Sequence, residues 1–314
     1  MPVSRIVPST SSEASNHDTP RFMNVRQVAR YLQLNEKKVY ALVNEGRIPA
    51  TRLTGKWLFP RDLVDQWLLE SSHGGLLTDR IVIAGSDDPL LHRAISAMAA
   101  ELQGRGLVSY APIGTQLGLS VLARRRADVC TLHWGPAEES LQRHPALLRQ
   151  HVQHTDWILV RMCRREQGIL LSPGIWPPGE RRIEQLFVPE VRWVARQEGA
   201  GSQRFLREIV AEHRLDLAGR RITARAHSER DAAAAIATGQ ADAAAGARAA
   251  AGEFGLDFLP IGWEAFDLAM PRAMFFRTLF RGLLDVLRDA ECRRLAQLFG
   301  GYDFSELGDI VWTA

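Results

Sequence analysis

Residues 21–70 read RFMNVRQVARYLQLNEKKVYALVNEGRIPATRLTGKWLFPRDLVDQWLLE, a run of short elements with almost no spare residues between them. Asn24 stands where an N-cap is needed, and Val25, Val28, Ala29 and Leu32 then recur at helical spacing. Asn35 caps a second helix whose apolar side is Val39, Leu42 and Val43, and Gly46 ends it. Ile48–Pro49 turns the chain into two short strands, Thr51–Leu53 and Trp57–Phe59, joined through Thr54–Gly55. Pro60 marks the start of a third helix with Leu63, Val64, Trp67 and Leu68 as its buried stripe. Two helices, a basic hairpin and a third helix form a small DNA-reading unit over residues 21–71. That reading makes the rest of the chain a candidate sensor.

A helix entering the major groove needs short or donor-bearing side chains in its first turn and cations on its flanks for the phosphates. Asn35, Lys37, Lys38, Tyr40 and Asn44 meet that need, and Arg52, Lys56 and Arg61 supply a basic wing. Charge is distributed to match: residues 21–72 carry nine Lys/Arg against five Asp/Glu, while residues 73–314 carry 29 of each. The competing reading is a basic helical module for protein contacts, with Lys37 and Lys38 as an ordinary solvated face. The segment resembles the excisionase/MerR-like winged helix-turn-helix family in its order helix–helix–RIPA–hairpin–PRDLVDQWL. The resemblance implies that the second helix reads double-stranded DNA, that the hairpin touches backbone or minor groove, and that the protein acts as a homodimer.

A chain of 314 residues has room for about two domains of ~150 residues. Its 46% hydrophobic and 24% charged content is that of an ordinary globular protein. The three cysteines, Cys130, Cys163 and Cys292, are scattered and form no CxxC pair, which points to a reducing compartment rather than a disulfide framework or zinc site. Residues 1–20 are rich in Ser, Thr and Pro without an apolar run, so a disordered N-terminus and no signal peptide are expected. No stretch approaches the roughly 18 apolar residues of a membrane span. The expectation is a cytoplasmic protein with no membrane partner.

A short linker, 72–78, leads into strand–helix–strand units over 79–314. Ile81–Ala84, Leu107–Tyr110 and Asp128–Leu132 read as strands, each followed by a turn and a helix or loop. A second set follows: strands Val191–Ala195, Ile222–Ala226, Ala241–Ala244 and Asp257–Ile261, with helices between them. Trp263–Met270 reads as a separate crossing strand, and Leu279–Phe299 supplies closing helices. Alternating units imply mostly parallel sheets with ligands at the carboxyl ends of the strands. Crossings near 155–170 and 262–272 predict an α/β, two-lobed fold of the type 2 periplasmic-binding-protein-like class, with lobe I about 79–160 and 265–314 and lobe II about 161–264. The alanine-rich run Ala232–Ala251 reads as close helix–sheet packing.

Segments from 81 to 303 carry a more specific resemblance: Ala84-Gly85-Ser86-Asp87-Asp88-Pro89-Leu90, His133, Arg165-Glu166-Gln167-Gly168, Arg196-Gln197-Glu198-Gly199-Ala200-Gly201-Ser202, His227, Gly239-Gln240-Ala241-Asp242, Gly255-Leu256-Asp257-Phe258 and Gly300-Gly301-Tyr302-Asp303. Together they resemble the PBP-like substrate-binding domains that follow an excisionase-type reader in bacterial one-component regulators. Those domains are similar to molybdate/tungstate-binding proteins. The implied effector is a small anion, first molybdate or tungstate. Departures bear on the ligand: Ala195 replaces the usual Asn, Gln203 the usual Arg with Arg204 one place later, His133 is followed by Trp134-Gly135-Pro136, and Gly174-Ile175-Trp176 replaces Gly-Asn-Pro. An organic or sulfur-containing anion is therefore the alternative, as is a molybdenum-cofactor-related binding protein or enzyme that uses its N-terminal domain for docking.

An anion at helix N-termini needs small residues that let backbone N–H groups approach, plus hydroxyl donors. Three turns fit, Gly85-Ser86, Gly114-Thr115 and Gly199-Ala200-Gly201-Ser202. Taken singly each also reads as a tight turn; their coincidence at strand ends favours a site. Arg196 either meets an anion or pairs with Glu198 or Glu166. His133 and His227 either contact ligand or cap and pack, and Trp134 and Trp176 either floor the cleft or join the core. No GxSxG, HExxH, P-loop or spaced carboxylate pair appears, so neither catalytic residues nor a cofactor are expected.

Overall fold

The computed structural model describes residues 20–46, 48–53, 55–72, 80–176, 182–216 and 219–314. The expected disordered N-terminus (except Pro20), residues 73–78 of the linker, and Thr54 of the hairpin turn lie outside them. The chain divides into two compact units, Met1–Leu69 and Glu70–Ala314.

In the first unit, β1 (Phe22–Met23), α1 (Val25–Tyr31), α2 (Glu36–Asn44), β2 (Thr51–Leu53), β3 (Lys56–Pro60) and α3 (Arg61–Ser72) follow in order. Asn24 caps α1 as expected: its Oδ1 accepts from Gln27 N at 3.0 Å, and Gln27 Oε1 accepts from Asn24 N at 2.9 Å. Asn35 caps α2 by accepting from Lys38 N at 2.7 Å. The strand β1 was not legible, because two residues carry no periodicity. It pairs antiparallel with β3, Met23 opposite Phe59, and makes the hairpin the rest of a three-stranded sheet ordered β1-β3-β2. Met23, Val28, Val39, Ile48, Phe59 and Val64 form the core beneath it.

The second unit contains β4 (Arg80–Gly85), α4 (Pro89–Leu102), β5 (Leu107–Ala111), α5 (Thr115–Ala123), β6 (Val129–Leu132), α6 (Ser140–Leu148) and the long β7 (Trp157–Leu171). It continues through β8 (Arg192–Arg196), α7 (Gly201–Glu212), β9 (Arg221–Ala226), α8 (Glu229–Ala237), β10 (Ala243–Ala247), α9 (Arg248–Phe254) and a second long strand, β11 (Asp257–Pro271). It closes with α10 (Thr278–Arg288), α11 (Ala290–Phe299), β12 (Tyr302–Asp303) and β13 (Ile310–Thr313). The main path of the sheet runs β5-β4-β6-β11-β7-β10-β8-β9. The flanks are parallel, β4 with β5 and β6, and β8 with β9 and β10. Between them β7 and β11 run antiparallel along their whole length and hold the two lobes together.

β11 spans both the strand expected at Asp257–Ile261 and the crossing strand expected at Trp263–Met270. It is one strand of 15 residues. Pro260 and Gly262 read as breakers, but Pro260 sits opposite Gly168 and Gly262 opposite Gln167, with a register shift between them. A bulge absorbs the residue that cannot donate and lets the strand continue. The change of lobe therefore happens inside strands: Ile158–Val160 of β7 pairs with β13, and Gln167–Leu171 pairs with β10.

Lobe I is built on Ile81, Leu90, Leu91, Phe266, Phe280 and Leu283. Lobe II has a core on each face of its sheet, one around Trp193 and Leu206, the other of Ala232, Ala233, Ala244, Ala250 and Ala251. The alanines pack α8 and α9 closely against the sheet, as expected. Among the described residues no helix is long and apolar enough to cross a membrane.

Candidate functional site

The carboxyl ends of the parallel strands of both lobes lead into the residues singled out as ligand contacts. After β4 come Ser86, Asp87 and Asp88, and Asp88 caps α4 by accepting from Leu91 N at 2.9 Å. Gly114 caps α5, with Thr115 as its first residue. His133 follows β6, Arg196 ends β8, Gly201 and Ser202 open α7, and His227 follows β9.

These eight residues form one connected cluster. Ser86 Oγ lies 2.7 Å from Thr115 Oγ1, and Thr115 Oγ1 donates to the His133 carbonyl at 3.2 Å. Gly201 packs on His133: a Cβ there would lie 2.5 Å from His133 Cε1 and 2.6 Å from its carbonyl oxygen. Arg196 Nη2 and Gln197 Nε2 both donate to the His227 carbonyl, at 3.2 and 2.7 Å, and Gln197 Nε2 also reaches Ile113 O beside Gly114 at 3.4 Å. Gln116 N donates to Gly199 O at 3.3 Å and Arg230 N to Asp87 Oδ2 at 2.8 Å, so the lobes meet across the cleft.

The members do different things. Thr115 donates to His133, so the Ser86 proton goes to Thr115, and both hydroxyl protons are engaged. The His133 ring is engaged too, Nδ1 with Glu264 Oε2 at 2.5 Å and Nε2 with Glu229 Oε1 at 3.5 Å. The His227 side chain is exposed and its role here is carried by its carbonyl. Two members keep free capacity: Ser202 is 0% exposed and Arg196 7%, and among the described residues Ser202 Oγ and Arg196 Nη1 have no hydrogen-bond partner. Arg196 does not form either expected pair, since Glu198 is held by Arg207 at 2.6 Å and Glu166 by Arg248. Burial pulls the Arg196 pKa below the usual arginine value, partly offset by the nearby Glu229, Asp87 and Asp231 carboxylates. Trp134 is buried against the Arg204 guanidinium at 4.9 Å, and Trp176 packs with the Trp193 core of lobe II.

At the centre of the cluster stands a residue that is not among the expected ligand contacts. Arg165 on β7 is fully buried and binds Glu264 Oε1 at 2.6 Å, Asp88 Oδ2 at 3.1 Å and Glu229 Oε1 at 3.1 Å. It also donates to Asp87 O at 2.8 Å, and its guanidinium lies 4.4 Å from the centre of the Phe266 ring. Tyr302 donates to Asp88 Oδ2 at 3.0 Å. Asp88 belongs to lobe I, Glu264 to the hinge and Glu229 to the first turn of α8 in lobe II; one guanidinium thus ties all three. Burial opposes its charge, but Glu229, Glu264 and Asp88 hold its pKa well above the usual value. Burial raises the Glu229 and Asp88 carboxyls against the pull of Arg165, whereas His133 and Arg165 overcome burial at Glu264 and lower it. A signal existed: Arg165 lies between the apolar runs Trp157–Val160 and Gly168–Leu171, and Glu264 between Trp263 and Ala265-Phe266, where charge survives only if paired.

In the first unit, Lys37, Tyr40, Ala41 and Asn44 fall at i, i+3, i+4 and i+7 and share one side of α2, with Val39, Leu42 and Val43 buried opposite. Lys37, Lys38, Tyr40, Asn44, Arg52 and Lys56 are exposed. Arg52 lies 5.7 Å over the Trp57 ring, and a shallow groove lined by Tyr40, Arg52 and Lys56 runs between α2 and the hairpin. Arg61 is turned to the domain's own packing, over the Tyr31 ring at 5.6 Å and 3.7 Å from Asp65.

Residues 96–288, more than half of the chain, match the sequence profile of the PBP superfamily domain. The chain belongs to this superfamily. Residues 22–72 match that of a helix-turn-helix domain. A helix-turn-helix domain followed by a PBP-like domain is the architecture of a ligand-binding regulator. The protein is 21% identical over 311 residues to Uncharacterized protein YvgK of Bacillus subtilis (strain 168), covering 91% of this chain and 96% of that one. A substrate-binding protein of a phosphate ABC transporter from Clostridium perfringens, with bound phosphate, shares the fold at a TM-score of 0.52 and 10% identity, covering 72% of this chain and 99% of the other. The regulatory domain of Synechocystis PCC6803 CcmR, in complex with 2-PG, aligns at a TM-score of 0.47 and 13% identity, over 68% of this chain and 99% of its own.

The contact of α7 with His133 is directly testable. Gly201→Ala places a methyl against a ring and a carbonyl that cannot retreat, because Glu264 and Glu229 hold the ring. The PBP-like domain should lose about 1–3 kcal/mol. The Gln116 and Arg230 amide hydrogens, which bridge the lobes, should exchange faster. Unchanged exchange at both would show that the lobes close without this contact.

Proposed function

We propose that the protein is a one-component transcriptional regulator whose PBP-like domain binds a small anion at the N-terminus of α7. The observation that carries the reading is the pair of buried, unpartnered donors, Arg196 Nη1 and Ser202 Oγ, at the end of β8 and the start of α7. The first-turn N–H groups of a helix add to them, and the helix dipole favours negative charge there. Ser86, Gly114, Thr115 and His133 shape the opposing wall, Gly201 and His227 stand beside the two donors, and together they couple anion binding to lobe closure. Binding then shifts the DNA affinity of a homodimer whose α2 helices, through Asn35, Lys37, Lys38, Tyr40 and Asn44, and hairpins, through Arg52 and Lys56, contact double-stranded DNA; Arg61 supports the wing. An effector that prefers the closed state by ~1–3 kcal/mol changes DNA affinity 5–150-fold. The protein works in the cytoplasm and carries no catalytic residues.

Molybdate and tungstate are the first effectors to test, on the family resemblance. A singly charged organic or sulfur-containing anion is the second reading. It is favoured by the acidic setting of Arg196, whose neighbours Glu229 and Asp87 repel a dianion more strongly than a monoanion. Against a rival role in molybdenum-cofactor chemistry stand the three buried thiols: burial pushes all of them up, Cys292 to about 11, which leaves no reactive thiolate among them.

Thermal shift against molybdate, tungstate, sulfate, phosphate and small carboxylates and sulfonates tests the reading. At 100 times Kd the effector stabilises by ~2.7 kcal/mol. Arg196→Met should weaken that anion by roughly ten- to a hundredfold, the worth of one charge-assisted hydrogen bond of ~1.5–3 kcal/mol. The apo protein should lose no more than about 1–3 kcal/mol, because among the described residues the guanidinium forms no ion pair and gives up only its hydrogen bonds to the His227 carbonyl and Gln197 Oε1. An anion bound equally well by both proteins would place its site elsewhere.

A further inference from the structure

A second cavity lies where α7, the hinge strands and the turn after β6 meet, and it shares no residue with the Arg196–Ser202 cluster. Its walls include Phe205, Ile209 and Glu212 of lobe II, Gln167 and Trp263 of the hinge, and Glu138 of lobe I, with His213, held by Glu184 at 3.2 Å, beside Glu212. The bulge in β11 makes room for it: register shifts between Pro260 and Gly262, and Gly262 is the partner of Gln167. Three properties point to a ligand. Gln167 is only 3% exposed, yet among the described residues its Nε2 has no hydrogen-bond partner. An orphaned amide donor is costly to bury, and an acceptor arriving from the cavity would relieve it. Trp263 is a large aromatic left 42% exposed at the rim. Glu138 and Glu212 are both exposed, and among the described residues neither has a cation within ion-pair distance.

We propose that this hinge cavity binds an organic cation: an ammonium group on an aromatic body that also carries a hydrogen-bond acceptor. The body packs between Phe205, Ile209 and Trp263, the acceptor takes the Gln167 Nε2 proton, and the ammonium faces Glu138 and Glu212. Aromatic faces and unpaired carboxylates both attract a cation and discriminate against an anion of the same shape. Because the walls come from both lobes and the hinge, the bound cation holds one interlobe angle.

Tyramine and 4-hydroxyphenylacetate are suitable probes, since they share ring and hydroxyl and differ in the sign of their charge. Titration of the full chain, followed by tryptophan fluorescence and calorimetry, should show saturable binding of tyramine and at least a tenfold weaker response to 4-hydroxyphenylacetate. Gln167→Leu, and separately Glu138→Gln with Glu212→Gln, should each weaken tyramine about tenfold, a change of ~1.4 kcal/mol. Arg196→Met should leave tyramine binding unchanged, which separates this site from the anion site whatever becomes of the latter. The two glutamates are exposed, so their replacement leaves the fold intact. Absence of saturable tyramine binding at millimolar concentration overturns the proposal, as does equal affinity in the double glutamine variant or loss of binding in Arg196→Met.

Discussion

Arg165→Met is expected to destabilise the PBP-like domain by ~5 kcal/mol, the upper end of what breaking a buried ion pair costs. The substitution keeps the apolar contact with Phe266 but leaves Asp88, Glu229 and Glu264 facing one another in a site none of them can leave. Total stability of a domain is ~5–15 kcal/mol, so the variant should sit near the edge of unfolding at neutral pH. Its pH dependence gives a second readout. Burial already raises the folded-state pKa of Glu229 and Asp88, and loss of the guanidinium raises both further. A carboxyl whose folded pKa exceeds its unfolded value stabilises fully below the unfolded pKa, and that contribution is lost as pH rises through the folded pKa. The deficit of Arg165→Met should therefore shrink as pH falls from neutral toward the ordinary carboxylate range. Urea denaturation at several pH values measures it. A loss under ~1.5 kcal/mol with no pH dependence would mean that the network is not held in the folded ensemble.

The double charge reversal Lys37→Glu with Lys38→Glu should reduce DNA affinity at least a hundredfold while leaving the melting temperature of the protein unchanged. Both side chains are exposed and contribute nothing to the core of Val39, Leu42 and Val43, so the fold does not depend on them. Each lost phosphate contact should lower the slope of log affinity against log salt by ~0.9, so the variant's salt dependence should flatten by about two contacts' worth. Lys56→Glu in the hairpin should have a smaller effect of the same kind. Retention of DNA binding and of its salt slope in the double variant would move the reader's contact surface off α2.

The helix-turn-helix unit was legible almost residue by residue because its determinants are local. Caps at Asn24 and Asn35, the stop at Gly46 and the hairpin at Gly55 act within one or two turns of chain. The strand β1 escaped because its pairing with β3 bridges residues far apart in sequence and leaves no pattern in two residues. In the larger unit, alternating apolar strands and amphipathic helices announced two α/β lobes, and the small-residue turns announced where the parallel strands end and helices begin. The bulge that merges 257–261 and 263–270 into one hinge strand was hidden, because Pro260 and Gly262 carry the same local signature whether a strand ends or bends.

By itself, the sequence determined the order of elements, the separation of a basic reader from a charge-balanced sensor, and the eight residues gathered at the strand ends. Tertiary structure alone decided which of them have capacity to spare. Ser86, Thr115 and His133 are engaged with one another and with Glu229 and Glu264, while Arg196 and Ser202 are buried with unpartnered donors. It also decided that Arg165, one of three arginines in β7, is the common partner of carboxylates from both lobes and the hinge. Local sequence sets backbone dihedrals and caps within a few residues, but an ion pair such as those of Arg165 exists only once segments 64 to 99 positions apart are folded into contact.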